Sequence, residues 1–228
     1  LEWDDLDGHM EALRYFRAAH VLRIAASEVT DRMPLMKVSD YLTFLAEAIL
    51  EHVVELCWQN LTAKHGKPIR TNGEPCDKDF LVVGYGKLGG IELGHGSDLD
   101  LVFIHDGSPS DATDGAKPIA GQMFFNRLGQ RIIHVLSTVT VSGELYEVDM
   151  RLRPSGNSGL LVTSLAAFIQ YQHKDAWTWE HQAIVRARAV AGDADLAKKF
   201  ATQRNQLLAL ERDRAQLRVE VKSMRQKM

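Results

Sequence analysis

Apolar side chains recur along this chain at two spacings, and the changes of spacing mark its elements. Residues 7–31 place Leu13, Phe16, Val21, Ile24 and Ala25 at helical steps, and Pro34 interrupts the pattern. From about 39 to 63, Leu42, Leu45, Ile49, Val53 and Leu56 return every three or four positions, which predicts a second helix with Ser39 or Asp40 as its N-cap. Residues 64–79 are polar and rich in Gly and Pro, so they read as a loop. The texture then changes: 80–83 and 99–104 look like strands, and a flexible polar loop at 106–117 follows. A helix is expected over 118–139, with Phe125, Leu128, Ile132 and Leu136 as its buried stripe and Pro118 in its first turn. Residues 144–153 alternate like a strand, and 154–159 form a turn. Further helices are expected at 164–172, 175–190, 193–210 and 212–228. No repeat is visible, and the expected fold class is α+β. Its segments are helices at 1–64, a compact centre at 65–163, and helices again at 164–228.

The segment Val82-Val83-Gly84-Tyr85-Gly86-Lys87-Leu88-Gly89-Gly90 fits the dinucleotide fingerprint G-x-G-x-x-G. That fingerprint works only where its glycines open a helix inside a βαβ unit, and a parallel crossover needs roughly a dozen residues or more. Between Gly90 and the next strand lie only residues 91–97, two of them glycine. No crossover helix fits, so Asp106, at the ribose-binding offset, is a coincidence. A Walker A loop fails too, because Leu88 follows Lys87.

The residues after the glycines suggest different chemistry. In Ser97-Asp98-Leu99-Asp100-Leu101, strand alternation puts Asp98 and Asp100 on one face. Two carboxylates one pleat apart repel each other, and a hard divalent cation such as Mg²⁺ relieves that. In 144–153, Tyr146, Val148, Met150 and Leu152 make one face, and Glu147, Asp149, Arg151 and Arg153 the other. If this strand lies beside Asp98 and Asp100, three carboxylates converge, as two-metal phosphoryl or nucleotidyl transfer requires. The glycines then let backbone approach a polyphosphate, and Lys87 adds a point charge.

Taken singly, each feature has a plainer reading. The glycines suit any tight turn, Lys87 a solvated surface, Asp98 and Asp100 a solvent-facing strand end, and Asp149 an ion pair with Arg151 or Arg153. Glu92 could simply hydrogen-bond the turn. His95 and His105 suit surface or packing roles, and Trp177 and Trp179 a core or an interface. The combination in this order is far more specific than any member.

Composition narrows the field further. The chain has 228 residues and a net charge of −3, from 27 basic and 30 acidic side chains, which disfavours a general nucleic-acid binder. Its 45% apolar and 25% charged content is that of a soluble globular protein. Cys57 and Cys76 form no C-x-x-C, so neither a disulfide framework nor a thiolate zinc site is expected. No apolar run reaches membrane-span length, and a cytoplasmic location is the expectation. The chain opens on Leu1 and its last helical pattern runs to Met228, so it is expected to be a piece of a longer protein.

With these residues assembled, "GYGKLGGIELGHGSDLDLVFIHD", "YEVDMRLRPSGNSGLLVTS" and "WEHQAIVRARAVAGD" closely resemble the bacterial glutamine synthetase adenylyltransferase/adenylyl-removing family. The resemblance covers most of 80–195. It implies a DNA polymerase beta-like nucleotidyltransferase core: a glycine-rich turn, D-x-D, then a third carboxylate. Such enzymes carry two of these domains. One moves AMP from ATP to a tyrosine of glutamine synthetase, and the other removes it with phosphate. The glycine and D-x-D segment looks more like the C-terminal, adenylylating half.

By the same resemblance Asp98, Asp100 and Asp149 bind Mg²⁺, and Asp149 helps deprotonate the attacking tyrosine. Gly86, Lys87, Gly89, Gly90 and Ser97 cradle the triphosphate of ATP. Arg151 and Arg153, from their strand facing, could meet phosphate or the partner protein. Glutamine synthetase is the implied partner, with the PII nitrogen-signalling protein acting through the longer enzyme. The alternatives are phosphorolytic removal of AMP, a catalytically silent nucleotide- or PII-binding module, and a nucleotidyltransferase for a small molecule or RNA.

Overall fold

A computed structural model describes residues 5–211 and 214–227. Two long helices come first, α1 (Leu6–Val29) and α2 (Leu35–His65). The second begins directly after Pro34, a turn before the expected Ser39 or Asp40 cap, because proline fixes the φ a helix entry needs and Asp40 instead pairs with Lys37. It ends at Gly66, whose φ of 76° suits glycine.

The centre holds β1 (Phe80–Gly84), the one-turn helix α3 (Gly86–Gly89), β2 (Leu99–His105), α4 (Gly121–Ser137), β3 (Val148–Asp149) and β4 (Val162–Ser164). Then come α5 (Leu165–Lys174), α6 (Thr178–Ile184), β5 (Arg188–Gly192), α7 (Ala194–Leu208) and α8 (Arg214–Lys227). The chain is therefore α+β among its described residues. α4 starts three residues later than expected, at Gly121. α5 and α7 open on side-chain caps: Ser164 accepts from Ala167 N, and Asp193 from Leu196 N.

The sheet runs β3-β2-β1-β5, with β4 also paired to β2. β1 is antiparallel to both β2 and β5. β3 and β4 lie parallel to β2, beside its beginning and its end. The antiparallel β1–β2 pair independently rules out a βαβ crossover after the glycines.

Both faces of the sheet are covered, which is why 80–83 and 101–104 read as continuous apolar runs rather than as alternation. Phe80, Val82, Leu99, Leu101 and Phe103 pack with α2 and α4; Leu81, Val83, Val102 and Ile104 pack with Phe168, Ile184, Leu196 and Phe200. α2 covers the outer side of β5, where Glu51 accepts from Gly192 N at 2.7 Å.

Three further sequence expectations change. The helix expected over 175–190 stops at Ile184, and Arg188–Gly192 is a strand, because β1 leaves an edge that needs a partner. The strand expected over 144–153 shrinks to Val148–Asp149. Leu145 N and Tyr146 N instead donate to Leu136 O, and the chain turns after Met150. In α1, Phe16 is 46% exposed, while Met10, Leu13 and Ile24 carry the buried line.

Candidate active site

β2 opens at the rim of the sheet, and the three acidic residues meet there. Leu99 N donates to Glu147 O, which starts the β2–β3 ladder and puts Asp100 level with Asp149. Neighbours in a parallel ladder share a face. One ligand oxygen each from Asp98, Asp100 and Asp149 lie within 4.8 Å of one another. Partial burial and the adjacent Asp98 and Asp149 raise Asp100 above the usual carboxylate range, opposed by Arg151 and Lys87. Asp149 is lowered, chiefly by its hydrogen bond from Arg151. Arg151 reaches it through a turn: its backbone N donates at 2.8 Å and its Nε at 2.7 Å. The expected strand facing of Arg151 and Arg153 therefore does not hold. Arg153 turns back, its Nη1 donating to Met150 O at 2.8 Å.

The glycines form the α3 turn directly against these carboxylates. Tyr85 N donates to Asp100 O at 2.9 Å, tying the turn to β2. Gly86 has φ 52°, and a Cβ there would sit 2.3 Å from Asp100 Oδ2, so only glycine fits. Gly89 N and Gly90 N donate to Tyr85 O and Gly86 O, so those N–H groups serve the turn itself. A Cβ at Gly89 would sit 1.9 Å from Arg186 O; this glycine supplies close approach. Lys87 is exposed. Ser97 Oγ accepts from Gly94 N at 3.0 Å, closing the loop ahead of Asp98. Glu92 reaches outward to Arg186 at 2.8 Å, and His95 meets Glu28 of α1 at 2.8 Å.

A family model described as glutamate-ammonia ligase adenylyltransferase matches residues 1–203. The chain belongs to this adenylyltransferase family. Its relatives include proteins named bifunctional glutamine synthetase adenylyltransferase/adenylyl-removing enzyme. One from Pseudomonas aeruginosa is 62% identical over 225 residues, one from Hahella chejuensis 60% over 225, and one from Nitrosococcus oceani 56% over 227. Each match covers 99% of this chain and 23% of the relative, so the chain spans about a quarter of their length.

In this adenylyltransferase-family chain, the segment after α6 adds two arginines from within the helix expected over 175–190. Arg186 pairs with Glu92, and Arg188 donates to Leu88 O at 3.2 Å and Gly89 O at 3.3 Å. The alternation Val185-Arg186-Ala187-Arg188-Ala189-Val190 was the available strand signal. His105 takes a packing role, stacked 4.2 Å from Phe125. Trp177 and Trp179 are exposed and line a cavity of about 1230 Å³ between α6 and α8. No helix among the described residues is long and apolar enough to cross a membrane.

Proposed function

We propose that this chain transfers AMP from MgATP to a tyrosine hydroxyl of glutamine synthetase and releases pyrophosphate. The observation that carries the reading is the Asp100–Asp149 register, which gathers three carboxylates against a glycine turn. These are acceptor-only groups, and the proton affinity of Asp100 is raised by partial burial and then by its acidic neighbours, so the ligand set fits a hard cation. Asp98, Asp100 and Asp149 would hold Mg²⁺, which when bound stabilises the charge that develops during nucleotidyl transfer.

In the reaction the tyrosine oxygen bonds to the α-phosphorus, and the bond from that phosphorus to the β-phosphate oxygen breaks. Asp149, kept ionised by Arg151, accepts the tyrosine proton. Gly86, Gly89 and Gly90 give the triphosphate room, and Lys87 and Ser97 offer donors to it. Arg151 and Arg153 supply positive charge at the same rim. The acceptor tyrosine belongs to the partner, so the chain needs no nucleophile of its own. The names of the relatives, which specify glutamine synthetase adenylylation, support this choice of substrate. Signals from PII belong, on this reading, to the longer enzyme.

The test is to incubate the chain with ATP labelled on the α-phosphate and unmodified glutamine synthetase. Label should appear on the synthetase, and Asp100→Asn should reduce it at least a hundredfold, the scale of losing a group that acts in the transition state. Circular dichroism should show that variant folded. No transfer by the native chain, with phosphate-dependent ADP release from modified synthetase, would assign it to AMP removal instead.

A further inference from the structure

The glycine turn is clamped from two sides. On one side Gly86 abuts the Asp100 carboxylate, where an added Cβ would find only 2.3 Å. On the other, Gly89 lies against the Arg186 carbonyl, with 1.9 Å for the same atom. Tyr85 N also donates to Asp100 O at 2.9 Å, which ties the start of the turn to β2. A turn pushed off the 186–188 segment must move relative to Asp100.

Arg188 closes the second side. Its Nε donates to Gly89 O at 3.3 Å, its Nη2 to Leu88 O at 3.2 Å, and the same Nη2 meets the Glu47 carboxylate of α2. One planar guanidinium thus joins the turn's last carbonyls to a helix more than a hundred residues earlier in the chain. A lysine's point charge could not span three such acceptors in a fixed fork. Glu47 is the first of three acidic residues one helical turn apart: Glu51 accepts from Gly192 N, and Glu55 pairs with Lys78 at 2.7 Å. Glu47 and Glu51 meet the two ends of β5, Glu55 meets Lys78 ahead of β1, and Glu47 is the member joined to the turn through Arg188.

We propose that Arg188 is a positioning residue for the glycine turn and, through Glu47, couples the seating of α2 to the triphosphate end of the site. The proposal rests on the reading of the turn as the phosphate-holding element. Arg188 touches neither nucleotide nor metal in this account; it acts through Leu88 and Gly89. α2 thereby becomes a lever on nucleotide affinity.

The experiment measures binding of MgATP and of adenosine to the 228-residue chain by isothermal titration. In Arg188→Gln and in Glu47→Leu, ATP affinity should fall about tenfold while adenosine affinity stays within twofold, since adenosine carries no phosphate for the turn to hold. Glu47→Gln, which keeps an acceptor for Arg188, should stay close to the native chain. The double variant Arg188→Gln/Glu47→Leu should lose no more than either single one, because both break the same link. Equal losses for ATP and adenosine would reduce Arg188 to general stability and overturn the proposal, as would additive losses or unchanged ATP affinity. A native chain that binds ATP but transfers no AMP would overturn the functional reading and leave this comparison decisive. A native chain that binds no ATP would overturn both.

Discussion

Single residues in this chain are constrained by how close their neighbours come. Gly86 and Gly89 match a dinucleotide fingerprint by letter, but their reasons are local: a left-handed φ against Asp100 for one, and contact with the Arg186 carbonyl for the other. The identity of both positions was legible in the sequence; the contacts behind it were not, since Arg186 lies almost a hundred positions away. His105 offers a test at this scale. It is fully buried against Phe125, and burial lowers its pKa to about 4 from an ordinary 6.5. The unfolded chain therefore binds this proton first on acidification. The stabilisation from keeping His105 neutral is complete above about pH 6.5 and is lost as pH falls towards about 4, amounting to ~3 kcal/mol in all. Urea denaturation of the native chain and of His105→Phe across that range should show a steeper loss for the native chain. Parallel curves would show that His105 does not titrate on unfolding.

Elements are placed by contacts that residue spacing cannot announce. α1 is the clearest case. Its predicted apolar stripe included Phe16, yet the helix is seated partly by a charge: Arg14 is 3% exposed. Its guanidinium donates to Gly143 O at 2.7 Å, to Met10 O at 2.8 Å, and to the Val135 and Thr138 carbonyls at the end of α4. A cation suits the carbonyl end of a helix, and removing it strands buried acceptors. Arg14→Met should cost about 2–4 kcal/mol of unfolding free energy by urea denaturation at neutral pH. A change under about 0.5 kcal/mol would mean that water or rearrangement satisfies those carbonyls. β3 teaches the same lesson in reverse. Alternation over 144–153 suggested a long strand, but Leu145 and Tyr146 bond to the end of α4 and a turn follows Met150, leaving a two-residue pair. Those two residues include Asp149, so the shortened strand still sets it level with Asp100, whereas Arg151 and Arg153 leave the strand facing.

Across the whole molecule, one sheet is assembled from distant parts of the chain. β1 begins at Phe80, and the strand beside it, β5, begins at Arg188. β5 completes the edge of β1 and brings Arg188 to the glycine turn, and α7 then covers one face with Leu196, Phe200 and Leu207. A chain ended after residue 187 should therefore lose cooperative unfolding and aggregate through the bared β1 edge. A chain ended after residue 211, which lacks α8, should keep a single urea transition. Size-exclusion chromatography and denaturation of the two truncations distinguish these outcomes, and cooperative folding of the shorter one would show that β5 is dispensable.

Local pattern along the chain supplies a glycine turn, the paired carboxylates of Asp98 and Asp100, a further acidic residue at Asp149, and apolar runs long enough to bury a sheet on both faces. These depend on nearest neighbours and on strand and helix periodicity, which are local. Tertiary packing sets Asp149 level with Asp100, pairs 188–192 with the edge of β1, and joins α2 to the turn through Glu47 and Arg188. Each of these is a pairing across a large sequence separation. Such pairings depend on unsatisfied edges and on space between packed surfaces, and local spacing carries no record of either.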